Sequence, residues 1–395
     1  MKHILSFDIA KNNSVFCLMN ENRELIIEPT NINHNKCEFE KLYHQLAHLK
    51  DLEIIMESTS IYHLPVEHFF RGKDCLVFVL NPKLVKQFND TLNKSKTDRL
   101  DCLKIARCYL ATIDTIRFKN DQYFQFNLLA RQYHSLVESI VRYKNRYRQL
   151  IDVVFPEFAT IFSNLYDPVA LQFIKNYPHP ALFYKKRSDF LCRELARFNN
   201  STQPFRYKPK VAKMKQLADD SLWFVHYDSF EVFNLVQMVN LIMFTEKEIN
   251  KVKTLLINSL RDTELFQLIT SIPFVFDLNA ALFLAEVGDV TRFDCYSKLI
   301  SFCGIDSVRK QSGKSINYNG PISKTGNKYV RKNLFNTCTQ IITLSARNMP
   351  EHPIYLFFRR KQKENKHHYV TIIACSTKLC RIIFHLCKTG QFYKA

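Results

Sequence analysis

The sequence predicts an α/β domain with a mixed sheet covered by helices, then a helical or coiled-coil arm, and last a mainly α-helical domain. Over residues 1–112, short apolar runs alternate with segments of helical spacing, a pattern typical of such a sheet. Two long segments further on carry apolar residues three and four positions apart, which predicts amphipathic helices. A chain of 395 residues can form two or three domains, and we place them at 1–115, 116–265 and 266–395.

The N-terminal domain is expected to alternate strands with helices. Short apolar runs predict strands at Ile4–Phe7, Val15–Met19, Glu24–Glu28, Glu53–Met56 and Cys75–Leu80. Helical spacing, and a proline able to open a helix, predict helices at Phe39–Leu49, Tyr62–Phe70, Pro82–Phe88 and Thr97–Leu110.

The rest of the chain is expected to be mostly helical. Predicted helices span Tyr123–Ile151, Phe230–Leu260, Leu278–Glu286, Tyr296–Phe302, Asn327–Arg347 and Thr371–Leu386. Six prolines between the first two helices predict an irregular insert, and the basic stretch 304–326 is also predicted to be irregular. The two long helices would form an antiparallel hairpin, which serves either oligomerisation or plain packing.

The net charge points to a polyanionic partner. Lys and Arg number 56 against 37 Asp and Glu, a formal charge of +19. Each phosphate neutralised by a cation releases condensed counterions, so nucleic acid is the first candidate and an anionic membrane surface the second. The longest apolar stretches are interrupted by polar or charged residues, and Asp8 interrupts any N-terminal signal peptide. We therefore expect a cytoplasmic protein that spans no membrane.

The cysteines do not indicate a metal or disulfide framework. Twelve are present, but they are scattered and contain no CxxC pair. In a reducing compartment we expect them to be small, half-buried hydrophobic residues.

Four acidic residues occupy positions that can converge on one site. Asp8 and Glu57 end predicted strands, where side chains point into the crevice in which α/β sheets hold ligands. Asp98 and Asp101 lie three residues apart at the start of a predicted helix, on one helical face. Any one of these acids has an ordinary alternative, such as complementing a helix dipole. Four together would repel one another, and divalent cations such as Mg²⁺ remove that repulsion and can activate the oxygens of a phosphodiester.

Four sequence motifs resemble the N-terminal domain of the DEDD insertion-sequence transposases: FDIAKN, MESTSIYHLP, VFVLNPKLVKQF and SKTDRLDCLKIA. This is the "one-ten" family, which includes Piv-like DNA invertases and has a RuvC-like (RNase H-like) fold. The resemblance covers residues 3 to about 112. It implies that Asp8, Glu57, Asp98 and Asp101 are catalytic carboxylates that bind Mg²⁺, with Mn²⁺ as an alternative. Lys11 matches the family's usual lysine.

A second resemblance lies in GIDSVRKQSGKSINYNGPISKTGNKYVRKNL, from residue 304. Its mixture of Gly, Ser, Asn and Lys before a helix suits phosphate contacts, although a solvated basic face is the simpler alternative. Ser323 or Thr325 could cap the following helix. In the family, the serine of the SG pair attacks DNA, and that position falls on Ser312. The residues alone do not distinguish Ser312 from its neighbours Ser307, Ser315 and Ser323.

One segment departs from the family pattern. An IPGIG-like hairpin usually precedes the serine segment, whereas this chain reads SIPFVFDLN, with Phe274 and Phe276 at glycine positions. Glycine lets a backbone approach phosphate closely, so the two phenylalanines put the hairpin's contact with DNA in question, while the surrounding helix and the VGDVTRF ending still match the family. The region from about 155 to 260 is also longer than the family pattern and carries no recognised motif.

The leading hypothesis is a transposase or site-directed recombinase that cleaves and rejoins double-stranded DNA. The resemblance further implies a structured non-coding RNA as guide, and a homodimer or homotetramer that supplies several active sites. One alternative is a RuvC-like metal-dependent endonuclease, similar to junction resolvases, that forms no covalent intermediate. The other is a nucleic-acid-binding protein without chemistry.

Overall fold

The structure is a computed structural model that describes residues 2–49, 51–58, 61–80, 82, 85–86, 88, 98–112, 124–223, 225–312 and 316–394. At positions 98–99, 112, 124, 308–312 and 316–319 only the backbone is described. Internal contacts divide the chain into two units, Met1–Lys119 and Asn120–Ala395. The three predicted domains and the two boundaries between them stay predictions.

The described part of the N-terminal unit forms a five-stranded mixed sheet. Its strands are β1 (His3–Ile9), β2 (Asn13–Asn20), β3 (Leu25–Asn33), β4 (Leu52–Glu57) and β5 (Leu76–Leu80). The spatial order is β3-β2-β1-β4-β5, with antiparallel pairing among the first three and parallel pairing of β1 with β4 and of β4 with β5. This order is the RNase H-like pattern, so the predicted fold class is confirmed.

Helices cover both faces of this sheet. They are α1 (Lys36–Leu46), α2 (Leu64–Arg71) and α3 (Asp98–Thr112). Phe7 packs with α1 and α2 on one face, while Ile4 packs with α3 on the other, as alternation along a strand requires. Of the predicted helix at 82–88, residues 82, 85, 86 and 88 are helical and the others lie outside the described residues.

The second unit begins with the predicted antiparallel helical hairpin, with four further helices inserted between its two arms. The elements are α4 (Phe124–Val154), α5 (Phe158–Ile161), α6 (Pro168–Asn176), α7 (Ser188–Phe198), α8 (Lys208–Asp220) and α9 (Phe230–Leu260). The Lys144 Nζ of α4 lies 2.8 Å from the Glu246 Oε1 of α9. The insert is more helical than predicted, because Pro168 and Pro209 stand in the first turns of α6 and α8, where proline is tolerated.

The remaining elements form a mainly helical C-terminal region. They are α10 (Glu264–Thr270), α11 (Asp277–Val287), α12 (Tyr296–Cys303), β6 (Ser307–Ser312), β7 (Ile316–Ile322), α13 (Lys328–Asn348), α14 (Pro353–Lys363) and α15 (His368–Thr389). The prediction that 304–326 is irregular is wrong, because β6 and β7 pair there as an antiparallel hairpin. Helix α14 was not predicted, since only Ile354 and Phe358 of its residues are buried.

Two separate cores stabilise the second unit. The ends of α4 and α9 nearest the C-terminal region contribute Ala130, Leu256 and Leu260 to its core. The far halves of the same two helices pack with α5–α8 around buried aromatic rings such as Phe158 and Phe173. One end of the arm therefore packs in the core of the C-terminal region, and the far end of the arm has a separate core.

Helix α15 is apolar and long enough, by length and composition, to cross a membrane. Half of its apolar window is buried within the protein, with Leu379 and Ile383 in the C-terminal core. A core helix of this length accounts for its composition. All twelve cysteines are free, and most are buried, in agreement with their expected role as small hydrophobic residues.

A buried carboxylate joins the arm to the C-terminal region. The Glu286 side chain on α11 is only 1% exposed and accepts hydrogen bonds from Arg131 Nη2 at 2.8 Å and from Asn127 Nδ2 at 3.0 Å, both on α4. Asn327, which caps α13, donates to the same carboxylate at 2.7 Å. The Arg131 guanidinium also lies 4.0 Å from the centre of the Tyr329 ring. A buried charge needs such donors to offset its lost hydration.

Replacing Glu286 with Gln is expected to destabilise the second unit by about 1–3 kcal/mol, because the charge-assisted bonds to Arg131 are lost. Chemical denaturation followed by circular dichroism measures this. The matched control is Glu248→Gln, whose partner Lys251 is exposed, and it should change stability by less than about 0.5 kcal/mol. Equal effects of the two substitutions would contradict the assigned role of Glu286.

Candidate active site

Asp8 and Glu57 lie at the carboxyl ends of two adjacent parallel strands. The register of β1 and β4 pairs Ser6 with Ile55 and Phe7 with Met56, so Asp8 and Glu57 each follow the last pair by one residue. Both side chains are half-buried. The parallel pairing thus brings these two predicted site residues to the same edge of the sheet.

Strand alternation places both acids on the face that α3 covers. Two residues earlier on each strand, Ser6 and Ile55 face α3: Ile55 packs with its apolar residues, and the Ser6 hydroxyl donates to the Cys102 carbonyl at 2.9 Å. The electrostatics agree with this placement. A hydrogen bond from Cys17 lowers the pKa of Cys102, whereas burial and the nearby Asp8 carboxylate act in the opposite direction.

The first turns of α3 carry the other two predicted acids. Asp101 is half-buried, and its Oδ1 accepts from Lys104 Nζ at 2.7 Å, one turn further along the helix. Asp98 is the first residue of α3, but its side chain lies outside the described residues. Sequence reasoning missed Lys104, although its three-residue offset from Asp101 is a signal for such a pair.

The carboxylate oxygens at this edge of the sheet suit a divalent metal. Among the described side chains, no group of three or more His, Cys, Asp or Glu is gathered closely enough to hold an ion. Asp8, Glu57 and Asp101 offer the carboxylate oxygens that Mg²⁺ prefers, on elements that meet at one face. Asp101 already holds one cation, the Lys104 ammonium. Convergence of all four acids stays a prediction.

The predicted nucleophile Ser312 ends strand β6, next to the tip of the β6–β7 hairpin. Its register partner is Ile316, the first residue of β7. The Ser312 side chain and residues 313–315 lie outside the described residues. Lys11 is exposed in the turn that connects β1 to β2.

At the base of this hairpin, the backbones of Gly304 and Gly326 pack closely against each other. Gly304 has φ +66°, and a Cβ on Gly326 would lie 2.2 Å from the Phe302 carbonyl oxygen. The Ser323 hydroxyl donates to Asp306 across the base of the hairpin. The predicted capping role of Ser323 or Thr325 is wrong: Asn327 caps α13, because its side-chain oxygen accepts from the amides of Tyr329 and Val330.

Comparison with known protein families finds one match in the N-terminal part of the chain and one in the C-terminal part. Residues 5–156 match the DEDD transposases of the IS110 type, and residues 266–352 match a family described as "Transposase IS116/IS110/IS902 family". The chain belongs to the IS110 family of transposases. The transposase therefore has both the DEDD N-terminal region and the C-terminal transposase region. Membership of the DEDD transposases implies a divalent metal.

The transposase is also similar along most of its length to a protein from Streptomyces coelicolor, named "Insertion element IS110 uncharacterized 43.6 kDa protein". The two chains are 22% identical over 357 residues, which covers 87% of the transposase and 83% of that relative.

Phe274, at a position where the resemblance predicts glycine, has a backbone conformation that favours glycine. Phe274 has φ +66°, in the left-handed region that favours glycine and costs other residues about 1–2 kcal/mol. Its carbonyl accepts from the Gln340 side chain at 3.2 Å, and its ring packs near His352. The turn therefore holds Phe274 in a left-handed conformation, with its carbonyl and its ring both in contact with neighbouring elements.

Gly326→Ala is expected to destabilise the transposase by about 3 kcal/mol, since the new methyl group would overlap the Phe302 backbone. Thermal unfolding followed by circular dichroism tests this. Gly72→Ala is the matched control, because its Cβ would lie 3.4 Å from the His68 oxygen at a φ of −65° that alanine adopts freely. Stability unchanged in Gly326→Ala would show that the hairpin base can shift.

Proposed function

We propose that this transposase cleaves and rejoins double-stranded DNA with a carboxylate-bound Mg²⁺ centre and a serine nucleophile. The metal centre would be held by Asp8, Glu57, Asp98 and Asp101, and Ser312 would attack the DNA. The observation that carries the proposal is the parallel pairing of β1 with β4, which puts Asp8 and Glu57 side by side on the face covered by α3.

The protein's contribution at this site is to position acidic oxygens on rigid elements. Asp8 and Glu57 lie on strands β1 and β4, in which the preceding residues are buried. The Ser6 hydroxyl donates to the Cys102 carbonyl and so holds α3 against the sheet. When bound, Mg²⁺ (or Mn²⁺) would neutralise charge on a phosphodiester and polarise it. The Lys104 ammonium donates to the Asp101 carboxylate and holds that side chain in the first turns of α3.

The serine step would conserve the energy of the broken bond. The Ser312 oxygen would attack phosphorus, the bond from phosphorus to the leaving deoxyribose oxygen would break, and that oxygen would take up a proton. The resulting phosphoserine ester can be attacked by the hydroxyl of another strand, which releases the serine. One support is the resemblance of the QSG and GPISKTG motifs to those of the family. The other is the position of Ser312 at the end of β6, beside the tip of the hairpin.

Partners follow from the same proposal. Strand exchange between two duplexes takes several active sites, so we propose a homodimer or homotetramer. A structured non-coding RNA is proposed as the guide, and the +19 charge is compatible with RNA as well as DNA. Because chromosomal DNA is the substrate, the protein would act in the bacterial cytoplasm at the nucleoid.

A metal-dependent endonuclease without a covalent intermediate is the second candidate. The observation that favours it is that all four acids belong to the unit Met1–Lys119. Hydrolysis by water would then need no group from the second unit. Ser312 would only contact DNA in that case.

Asp8→Asn is expected to lower Mg²⁺-dependent strand cleavage about a thousandfold, because several kcal/mol of metal-based stabilisation of the transition state would be lost. Cleavage of the element's end DNA, with its RNA present, measures this. Glu28→Gln, at an exposed position on β3, is the matched control and should cleave normally. Strand exchange that survives Asp8→Asn would exclude the carboxylate assignment.

Ser312→Ala is expected to abolish the covalent protein–DNA adduct, because the substitution removes the oxygen proposed to attack phosphorus. Adducts are trapped by denaturation during the reaction and separated on a gel. Ser307→Ala, on the same strand β6, is the control and should still form them. Adducts undiminished by Ser312→Ala would refute the nucleophile, and cleavage that continues without any adduct would favour the endonuclease.

A further inference from the structure

The insert between the two arm helices carries an unusual density of positive charge. Residues 185–215 contain ten Lys and Arg against two acidic residues, an excess of eight positive charges in 31 residues. The whole chain of 395 residues has a net charge of +19. Less than a tenth of the chain therefore supplies about two fifths of its net charge.

These cations lie on elements that pack against one another. They belong to α7, α8, the turn before α7 and the turn Pro204–Tyr207. The Asn199 side chain donates to the Tyr207 hydroxyl at 2.7 Å, which joins the end of α7 to that turn. Lys215 on α8 donates to the Lys186 carbonyl at 2.9 Å, which joins α8 to the start of the patch. We call this surface the insert patch; its cations are Lys185, Lys186, Arg187, Arg193, Arg197, Arg206, Lys208, Lys210, Lys213 and Lys215.

Few of these charges are neutralised within the protein. Arg187 and Arg197 lie within 4.0 Å of carboxylates, those of Asp189 and Glu194. The other eight cations have no described carboxylate at ion-pair distance. Lys213 donates to the Thr160 carbonyl, and Lys210 lies 4.3 Å from the Phe162 ring centre, contacts that leave their charge uncompensated.

The burial of the apolar face of α8 favours a polyanion in water over a membrane as the partner of this helix. An amphipathic helix that binds a bilayer must expose its apolar face. In α8 that face, formed by Val211, Met214 and Ala218, is buried in the core of the insert. The patch can therefore attract a partner by charge, and a regularly spaced row of phosphates suits the spread of cations over helices and turns.

We infer that the insert patch binds the phosphodiester backbone of a nucleic acid duplex without reading its sequence. This surface lies within the segment 155–260 that lacks a family motif, and it is distinct from the hairpin that carries Ser312. The inference does not depend on the strand-exchange chemistry, because backbone binding needs neither the metal nor the serine. DNA and RNA duplexes present the same phosphate chemistry, and the experiment distinguishes them.

The test compares binding of the full chain with that of two charge-matched variants, in EDTA so that no cleavage occurs. The patch variant is Lys185→Gln, Arg193→Gln, Arg206→Gln and Lys208→Gln. The control variant removes four exposed cations near the other end of the unit, Arg347→Gln, Arg359→Gln, Lys363→Gln and Lys366→Gln. Probes are short DNA duplexes of two unrelated sequences, an RNA duplex, and phosphatidylserine vesicles.

The patch variant is expected to bind both DNA duplexes at least about tenfold more weakly at moderate salt, with a salt slope shallower by about three to four, since each lost phosphate contact removes roughly 0.9. A greater loss for one kind of duplex identifies DNA or RNA as the source of the phosphates. An equal loss in the control variant, a loss for only one DNA sequence, or a loss confined to vesicles would overturn the inference.

Lysine acetylation, read by mass spectrometry, locates the contact on the chain without substitutions. Duplex is expected to protect Lys185, Lys208 and Lys213 from acetylation, while Lys363 and Lys366 stay reactive. Bound duplex that leaves the patch lysines fully reactive would overturn the inference, even if the patch variant binds weakly. Circular dichroism confirms that both variants are folded, because a misfolded patch variant would lose helical signal that the control keeps.

Discussion

The parallel pairing of β1 with β4 is the constraint on which the candidate active site depends. The two strands are distant in sequence, and their register alone brings Asp8 next to Glu57. A shift of one residue would turn one of the acids to the opposite face, towards α1 and α2. That register is in turn stabilised by apolar residues that face both ways, such as Ile54 and Ile55, which are fully buried. The chemistry of the site therefore rests on ordinary sheet packing.

Much of the N-terminal unit could be predicted from sequence, because its strands are short apolar runs that end at turns. The four acids could be located for the same reason, since each follows such a run or opens a helix. The pair between Asp101 and Lys104 depends on side-chain conformation, which spacing allows but does not require. The cap of α13 was assigned to the wrong residue, because Ser323, Thr325 and Asn327 all suit an N-cap and only the tertiary structure gives Ser323 another partner in Asp306. The β6–β7 hairpin was missed because its strands are too polar to show an apolar alternation.

In the second unit, a buried carboxylate adds a polar connection to the apolar packing between the arm and the C-terminal region. Glu286 joins α4, α11 and the residue that caps α13, so one charge connects the arm to the helix that follows the serine hairpin. The cost of burying this charge is offset by donors from two elements, and the arrangement tolerates no apolar substitute on one side alone. The two glycines at the hairpin base constrain the same region by steric contact. Electrostatic and steric constraints thus converge on the segment around Ser312.

The division of the second unit into two cores has a consequence for how such a chain can diversify. Residues that pack the far end of the arm, such as Tyr147 and Leu235, share no contact cluster with those that support the serine hairpin. An insertion or replacement at the far end would therefore leave the C-terminal core intact. The distal lobe can therefore change in sequence or length with little effect on the packing around the serine hairpin.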